Sequence, residues 1–119
     1  MDLNELLLKD LCARLPYGVF CNIGLDYPLP LQRLFVDRLD GILLDFYEDG
    51  KDYQVYLGEV KPYLRSLLSI TEEEKEELFQ LMGNGTDIQR IDFYLSHHFD
   101  FRCLIPMGLA LEAPEGMYN

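Results

Sequence analysis

Two Asp-Gly pairs, Asp40-Gly41 and Asp49-Gly50, lie between short apolar runs and constrain the fold more than any other feature of the chain. A tight hairpin turn needs positive φ at its centre, which glycine adopts without steric cost and aspartate tolerates. The runs 31–38, 42–47 and 53–57 are therefore expected to be strands of an antiparallel meander. Their leucine content alone leaves strand against helix ambiguous. The turns decide for strands.

A second local signature occurs twice. Thr71-Glu72-Glu73-Glu74 and Thr86-Asp87-Ile88-Gln89 are both capping-box sequences, in which the threonine hydroxyl and the acid or amide three places on satisfy each other's backbone amides. They predict helices over 71–82 and 87–99, separated by Gly83-Asn84-Gly85. Leu78, Leu81 and Met82 are expected to face the core from the first, and Ile88, Ile91, Leu95 and His98 or Phe99 from the second. A further helix is expected over 2–15, capped by Asp2 with Glu5 at the reciprocal place, its stripe formed by Leu3, Leu6, Leu7, Leu11 and Leu15. Pro16 ends it.

The segment 17–23 alternates, with Val19, Cys21 and Ile23 on one face of a short strand, and 24–30 reads as a loop. Residues 59–70 read as a connector, with Pro62 suited to the first turn of a short helix. In the tail, Leu104, Ile105, Leu109 and Leu111 are expected to pin the chain, with fraying from Glu115 onward. Strands run together and helices run together, which predicts an α+β fold: an N-terminal helix, a small antiparallel sheet of three to four strands, two C-terminal helices and an apolar tail. At 119 residues this is one domain, 1–119.

Charge narrows the partners. Ten basic residues stand against 21 acidic ones, a formal charge of −11, and the bases are scattered singly. Nucleic acid and anionic membranes are repelled by such a field, and phosphate contacts need Lys/Arg clusters. No apolar run approaches the length of a membrane span. The acidic segment 1–5 is unlike the basic start of a secretory leader. Cys12, Cys21 and Cys103 are odd in number and form no Cys-x-x-Cys pair, so reduced thiols in a cytoplasmic setting are expected.

The densest cluster of reactive side chains is 87–106, which holds both histidines. His97 and His98 are adjacent, and neighbours on a helix point about 100° apart, so they do not chelate one ion. Zinc pairs on helices stand four apart. His98, Asp100 and Cys103 could compose a thiolate pair with an orienting carboxylate, the basis of a small hydrolase or transferase. Against that, nothing in the sequence makes Cys103 electropositive and exposed. The acid-rich segment 45–52 fails the calcium-loop pattern: counted from Asp45, the third and twelfth places are Tyr47 and Tyr56. Phosphate loops, nucleophile elbows and zinc-ligand sets are absent from the sequence. No catalytic, cofactor-binding or metal residues are assigned. The candidate contact surface is Arg90, Tyr94, His97, Asp100 and Arg102, since arginine and aromatic side chains anchor protein interfaces.

Several stretches carry a resemblance: Leu6-Leu7-Leu8-Lys9-Asp10-Leu11-Cys12-Ala13-Arg14-Leu15-Pro16-Tyr17-Gly18-Val19, Val60-Lys61-Pro62-Tyr63-Leu64-Arg65, Thr71-Glu72-Glu73-Glu74 and the block 87–113. Together they resemble a recurrent group of small uncharacterised proteins of gut anaerobic bacteria, often encoded near prophage or other mobile-element genes. The resemblance covers both ends well and the middle strands poorly. Members of the group have a longer segment where this chain has Gly83-Asn84-Gly85, and often glycine in place of Cys103. No activity carries over from it.

The functional expectation is a non-enzymatic cytoplasmic accessory protein acting through protein–protein contacts with an unidentified partner. The alternative is an acidic, nucleic-acid-mimicking inhibitor of a DNA- or RNA-binding enzyme. The small hydrolase or transferase comes third. Self-association through an exposed edge strand is open to such a sheet.

Overall fold

The computed structural model describes residues 2–118, and both Asp-Gly pairs lie where hairpins reverse. At the second, Asp49 and Gly50 take φ of 45° and 83°, the paired positive values of a two-residue hairpin turn. The first is longer: the Asp37 carboxylate accepts hydrogen bonds from the amides of Leu39 and Asp40, and Gly41 at φ 84° opens the next strand. These turns join strands β2 (Leu29–Asp37), β3 (Gly41–Glu48) and β4 (Lys51–Tyr56), all antiparallel, with one register shift between Leu31 and Arg33.

The protein is α+β, with an N-terminal helix and two later ones, but its sheet has six strands rather than three or four. The order is β4-β3-β2-β1-β5-β6, where β1 is Phe20–Asn22, β5 is Lys61–Leu64 and β6 is Leu111–Glu112. β5 occupies what the sequence suggested was a connector with a helical Pro62. Pro62 instead pairs in register with Cys21 across β1 and is fully buried. Proline lacks a ladder donor, so nothing local announces a strand here. β6 has only two residues and runs parallel to β5, so it exists solely through that pairing.

Helix α1 (Leu3–Arg14) begins where Asp2 accepts a hydrogen bond from the Glu5 amide at 2.8 Å. Past it the chain tightens into a 3-10 turn, Leu15–Tyr17, which ends at Gly18 with φ 76°. Pro16 is tolerated there because the first turn of a helix needs no amide donor from it. Helices α2 (Glu72–Asn84) and α3 (Asp87–Ser96) both start with complete capping boxes, Thr71 with Glu74 and Thr86 with Gln89.

The main core joins Leu7 and Leu11 of α1 to Val19, Cys21, Leu29, Leu31, Leu44 and Phe46 of the sheet side, and to Leu104 and Ala110 of the tail. Full burial of each such large side chain contributes roughly 1.5–3 kcal/mol. Leu78, Leu81 and Met82 are expected to face the core, yet α2 buries no side chain completely. Leu78 and Leu81 are half-buried and Met82 is exposed. On α3, Ile88 and Ile91 are exposed, whereas Phe93 and Leu95 are buried and Phe99 beyond its end is fully so. Capping sets where a helix starts; which stripe meets the core depends on docking angle, which the pattern does not encode.

The tail is anchored to its last described residue. Tyr118 donates to the Tyr63 carbonyl at 2.7 Å and accepts from the Phe20 amide at 2.9 Å, so residues 115–118 do not fray as expected. No helix among the described residues is long and apolar enough to cross a membrane.

Candidate functional site

The end of α3 organises the polar interior. His98 takes φ 63°, and the amides of His98 and Phe99 return to the carbonyls of Leu95 and Tyr94. This is a glycine-type helix termination carried by a histidine. It turns the chain so that 98–100 runs beside Arg65, whose amide donates to the His98 carbonyl at 2.7 Å and whose carbonyl accepts from Asp100 at 2.8 Å. Cys103, at φ 60°, joins Asp49 and His98 as a non-glycine residue in the left-handed region.

Two ion-pair clusters flank this segment. In the first, Asp10 and Arg14 stand one turn apart on α1 and are both completely buried. The Arg14 Nε donates to Asp10 at 2.7 Å and its Nη2 to the Phe99 carbonyl at 2.7 Å. Arg102 closes on the other oxygen of Asp10 at 2.6 Å. Asp10 and Arg14 lie outside the candidate residues predicted from the sequence. Their signal was spacing: Arg14 follows Leu7 by seven places and Leu11 by three, inside the apolar stripe. In the second cluster Glu74 receives both guanidinium nitrogens of Arg65 at 2.7 Å, and His97 sets Nδ1 3.0 Å from Glu74 and Nε2 3.3 Å from Glu77. The Arg65 hydrogen bond, with the Thr71 cap, holds the Glu74 carboxyl down at about 2.

Most residues of the sequence-derived contact surface are engaged within these structures. Arg90 folds back onto the carbonyls of Leu81 and Gly85 and pairs with Asp87, closing the α2–α3 corner. Tyr94 stacks on Phe101 with centroids 5.4 Å apart. Asp100 is buried and caps the amides of Leu104 and Ile105 at 2.8 and 2.9 Å. His97 and Arg102 belong to different clusters. His98, Asp100 and Cys103 are near in sequence, but no side-chain hydrogen bond joins them among the described residues, and Cys103 is exposed. The His98 ring instead stacks on Tyr118, centroids 3.8 Å apart. Among the described residues no group of three or more His, Cys, Asp or Glu side chains is arranged to hold a metal.

Burial of His98, helped by the positive charges of Arg14 and Arg65 and by His97, lowers its pKa from 6.5 to about 4. Its Nδ1 is buried without a hydrogen-bond partner among the described residues, which fits a neutral ring. Between those values the unfolded chain takes up a proton that the folded protein refuses. The stabilisation is therefore complete above pH 6.5 and is lost as pH falls through 4. Glu74 adds a similar loss from 4.5 down toward 2. The urea midpoint is expected to drop between pH 6.5 and 5, before most carboxylates titrate. His98→Asn keeps a residue that tolerates this backbone and should flatten that window. An unchanged slope in the variant would refute the assignment.

The solvent side of α2 and α3 is where unusual surface lies. Phe79 is 73% exposed, Met82 64%, Ile88 74% and Ile91 43%. Each pair stands three apart, so each forms a stripe on its own helix. Acids surround them: 72–92 holds Glu72, Glu73, Glu74, Glu76, Glu77, Asp87 and Asp92 against only Lys75 and Arg90. Between the turn after α1, α2 and α3 lies a groove of about 290 Å³, lined by Tyr17, Glu77, Leu81, Asp92, Phe93 and Ser96 among others. A wider groove of about 500 Å³ crosses the outer strands by Gln32, Arg33, Asp45 and Gln54, which are joined in part by Arg33–Asp45 and Gln54–Asp45 bonds. No family model, curated protein or solved structure matches the chain.

Proposed function

We propose that this protein is a non-enzymatic accessory protein that binds another protein through the outer surfaces of α2 and α3. The observation that carries the reading is the exposure of Phe79, Met82, Ile88 and Ile91 on two well-capped helices. Isolated surface apolar residues need no explanation, but paired stripes on adjacent helices fit a contact surface better than a solvated face. The reactive side chains at 97–103 support the same view, because most are occupied in holding the segment together. A cytoplasmic setting agrees with three unbridged cysteines, two of them exposed. A place among mobile-element proteins rests on the resemblance of the terminal segments alone.

The test compares proteins captured from lysate by the wild type and by a Phe79→Ser, Met82→Ser, Ile88→Ser, Ile91→Ser variant. Because these side chains are exposed, the variant should keep its circular dichroism spectrum and thermal midpoint. At least one captured protein should fall by roughly tenfold or more, the scale of losing about 1.4 kcal/mol of binding. Identical sets from both baits would dispose of the reading.

A further inference from the structure

We infer that the groove between Tyr17, α2 and α3 receives an arginine or lysine side chain from a basic amphipathic helix of the partner, an inference that rests on the protein-binding reading above. Glu77 enters the groove from α2 and Asp92 from α3, and none of its lining residues is a lysine or arginine. Among the described residues the Asp92 carboxylate accepts one hydrogen bond, from the Tyr17 hydroxyl at 3.4 Å, and Glu77 meets His97 at 3.3 Å while staying 57% exposed. Among the described residues neither carboxylate has the guanidinium partner that Asp10 and Glu74 have.

The groove walls suit the stem and head of a long cation. Tyr17, 37% exposed, offers an aromatic ring, which attracts a guanidinium or ammonium through the ring quadrupole, while the buried Phe93 closes the floor. Leu81 offers an apolar contact for the methylenes. The groove, about 290 Å³ and open to solvent, has room for a long cationic side chain. Ile88 stands four places before Asp92, on the same side of α3 and 74% exposed, so a helix inserting its cation has apolar surface beside it. Amphipathic helices dock through such spaced anchors.

Charge separates this occupant from the others. A second copy brings its own −11, and anionic lipid and nucleic acid carry the same sign as the rim. A basic segment is attracted at long range and neutralised at the groove.

The probe is a synthetic helix of leucine and arginine with leucines at i, i+3, i+4 and i+7. Its controls are a glutamate-for-arginine version and a scramble of equal charge. Binding is measured by calorimetry, and contacts by amide shifts at Gln89 and Ser96. The protein is wild type, Glu77→Gln with Asp92→Asn, or Glu72→Gln with Glu73→Gln. The last pair removes equal charge from the start of α2, outside the groove lining. The arginine helix should bind wild type more tightly than its scramble. It should lose about tenfold at the groove variant and less than about twofold at the distal one. Equal losses at both variants would mean attraction to net charge only and would overturn the inference, as would no binding at all. Should the peptide fail while the serine variant still loses a captured protein, basic-helix recognition falls and the protein-binding reading stands. Failure of both experiments removes both.

Discussion

Asp10→Ala is expected to lower the stability of the fold by about 3–5 kcal/mol, measured as a shift in the urea midpoint at neutral pH. The carboxylate is completely buried and holds two cations, Arg14 at 2.7 Å and Arg102 at 2.6 Å. Arg102 retains some solvent contact and can turn outward. Arg14 cannot, since its side chain is also completely buried, and its Nη1 already lacks a partner among the described residues. Removing Asp10 leaves that charge uncompensated except by the Phe99 carbonyl and the Phe101 ring, 5.7 Å from the guanidinium carbon. A loss of this size approaches the whole stability of a small domain, about 5–15 kcal/mol. Asp10→Leu combined with Arg14→Met should recover most of the loss, because apolar replacements of a buried ion pair avoid its desolvation cost. A double variant as unstable as Asp10→Ala would show that the ion pair itself is indispensable.

Phe99→Ala should cost a comparable amount, about 3–5 kcal/mol. The ring is completely buried, stacks on Phe93 with centroids 6.0 Å apart, and lies 4.2 Å beneath the Arg65 guanidinium carbon. Three elements meet there: the end of α3, the end of β5 and the Glu74 cluster that secures α2. Phe99→Leu keeps most of the volume and should cost less than about 1.5–2 kcal/mol. The distinctive part of the expectation concerns α2. It buries no side chain of its own completely; Arg65 and His97 tie its first half to the segment around Phe99, and Arg90 ties its C-terminal end to α3. Amide exchange over Glu72–Asn84 should therefore accelerate more in Phe99→Ala than in the sheet. Uniform acceleration across the protein would contradict this.

Much of the architecture is legible because its signals are local. Asp49-Gly50 needs only its own two φ angles to make a hairpin, and Thr71 and Thr86 need only a partner three places away to start a helix. The strands that escaped notice are those with no local preference. Pro62 sits in a strand because Cys21 and the chain around Leu111 flank it on both sides. The two residues of β6 would not be extended without Tyr63 and Leu64 beside them. The candidate surface divides the same way. The acids and apolar residues of 72–92 are visible as composition. That Met82, Ile88 and Ile91 face water rather than the core follows from where the helices dock.

From its sequence alone the protein acquires its turns, its helix starts, its α+β class and its strongly acidic field, since each depends on neighbours a few places apart or on a simple sum. Only the folded chain decided that Asp10 meets Arg102 from 92 positions away, that Tyr118 closes on His98, and that Tyr17, Glu77 and Asp92 share one groove. Those meetings are set by which surfaces are buried against one another. Periodicity within a segment shows that one face is apolar, but which distant segment that face meets is a property of the whole packed assembly.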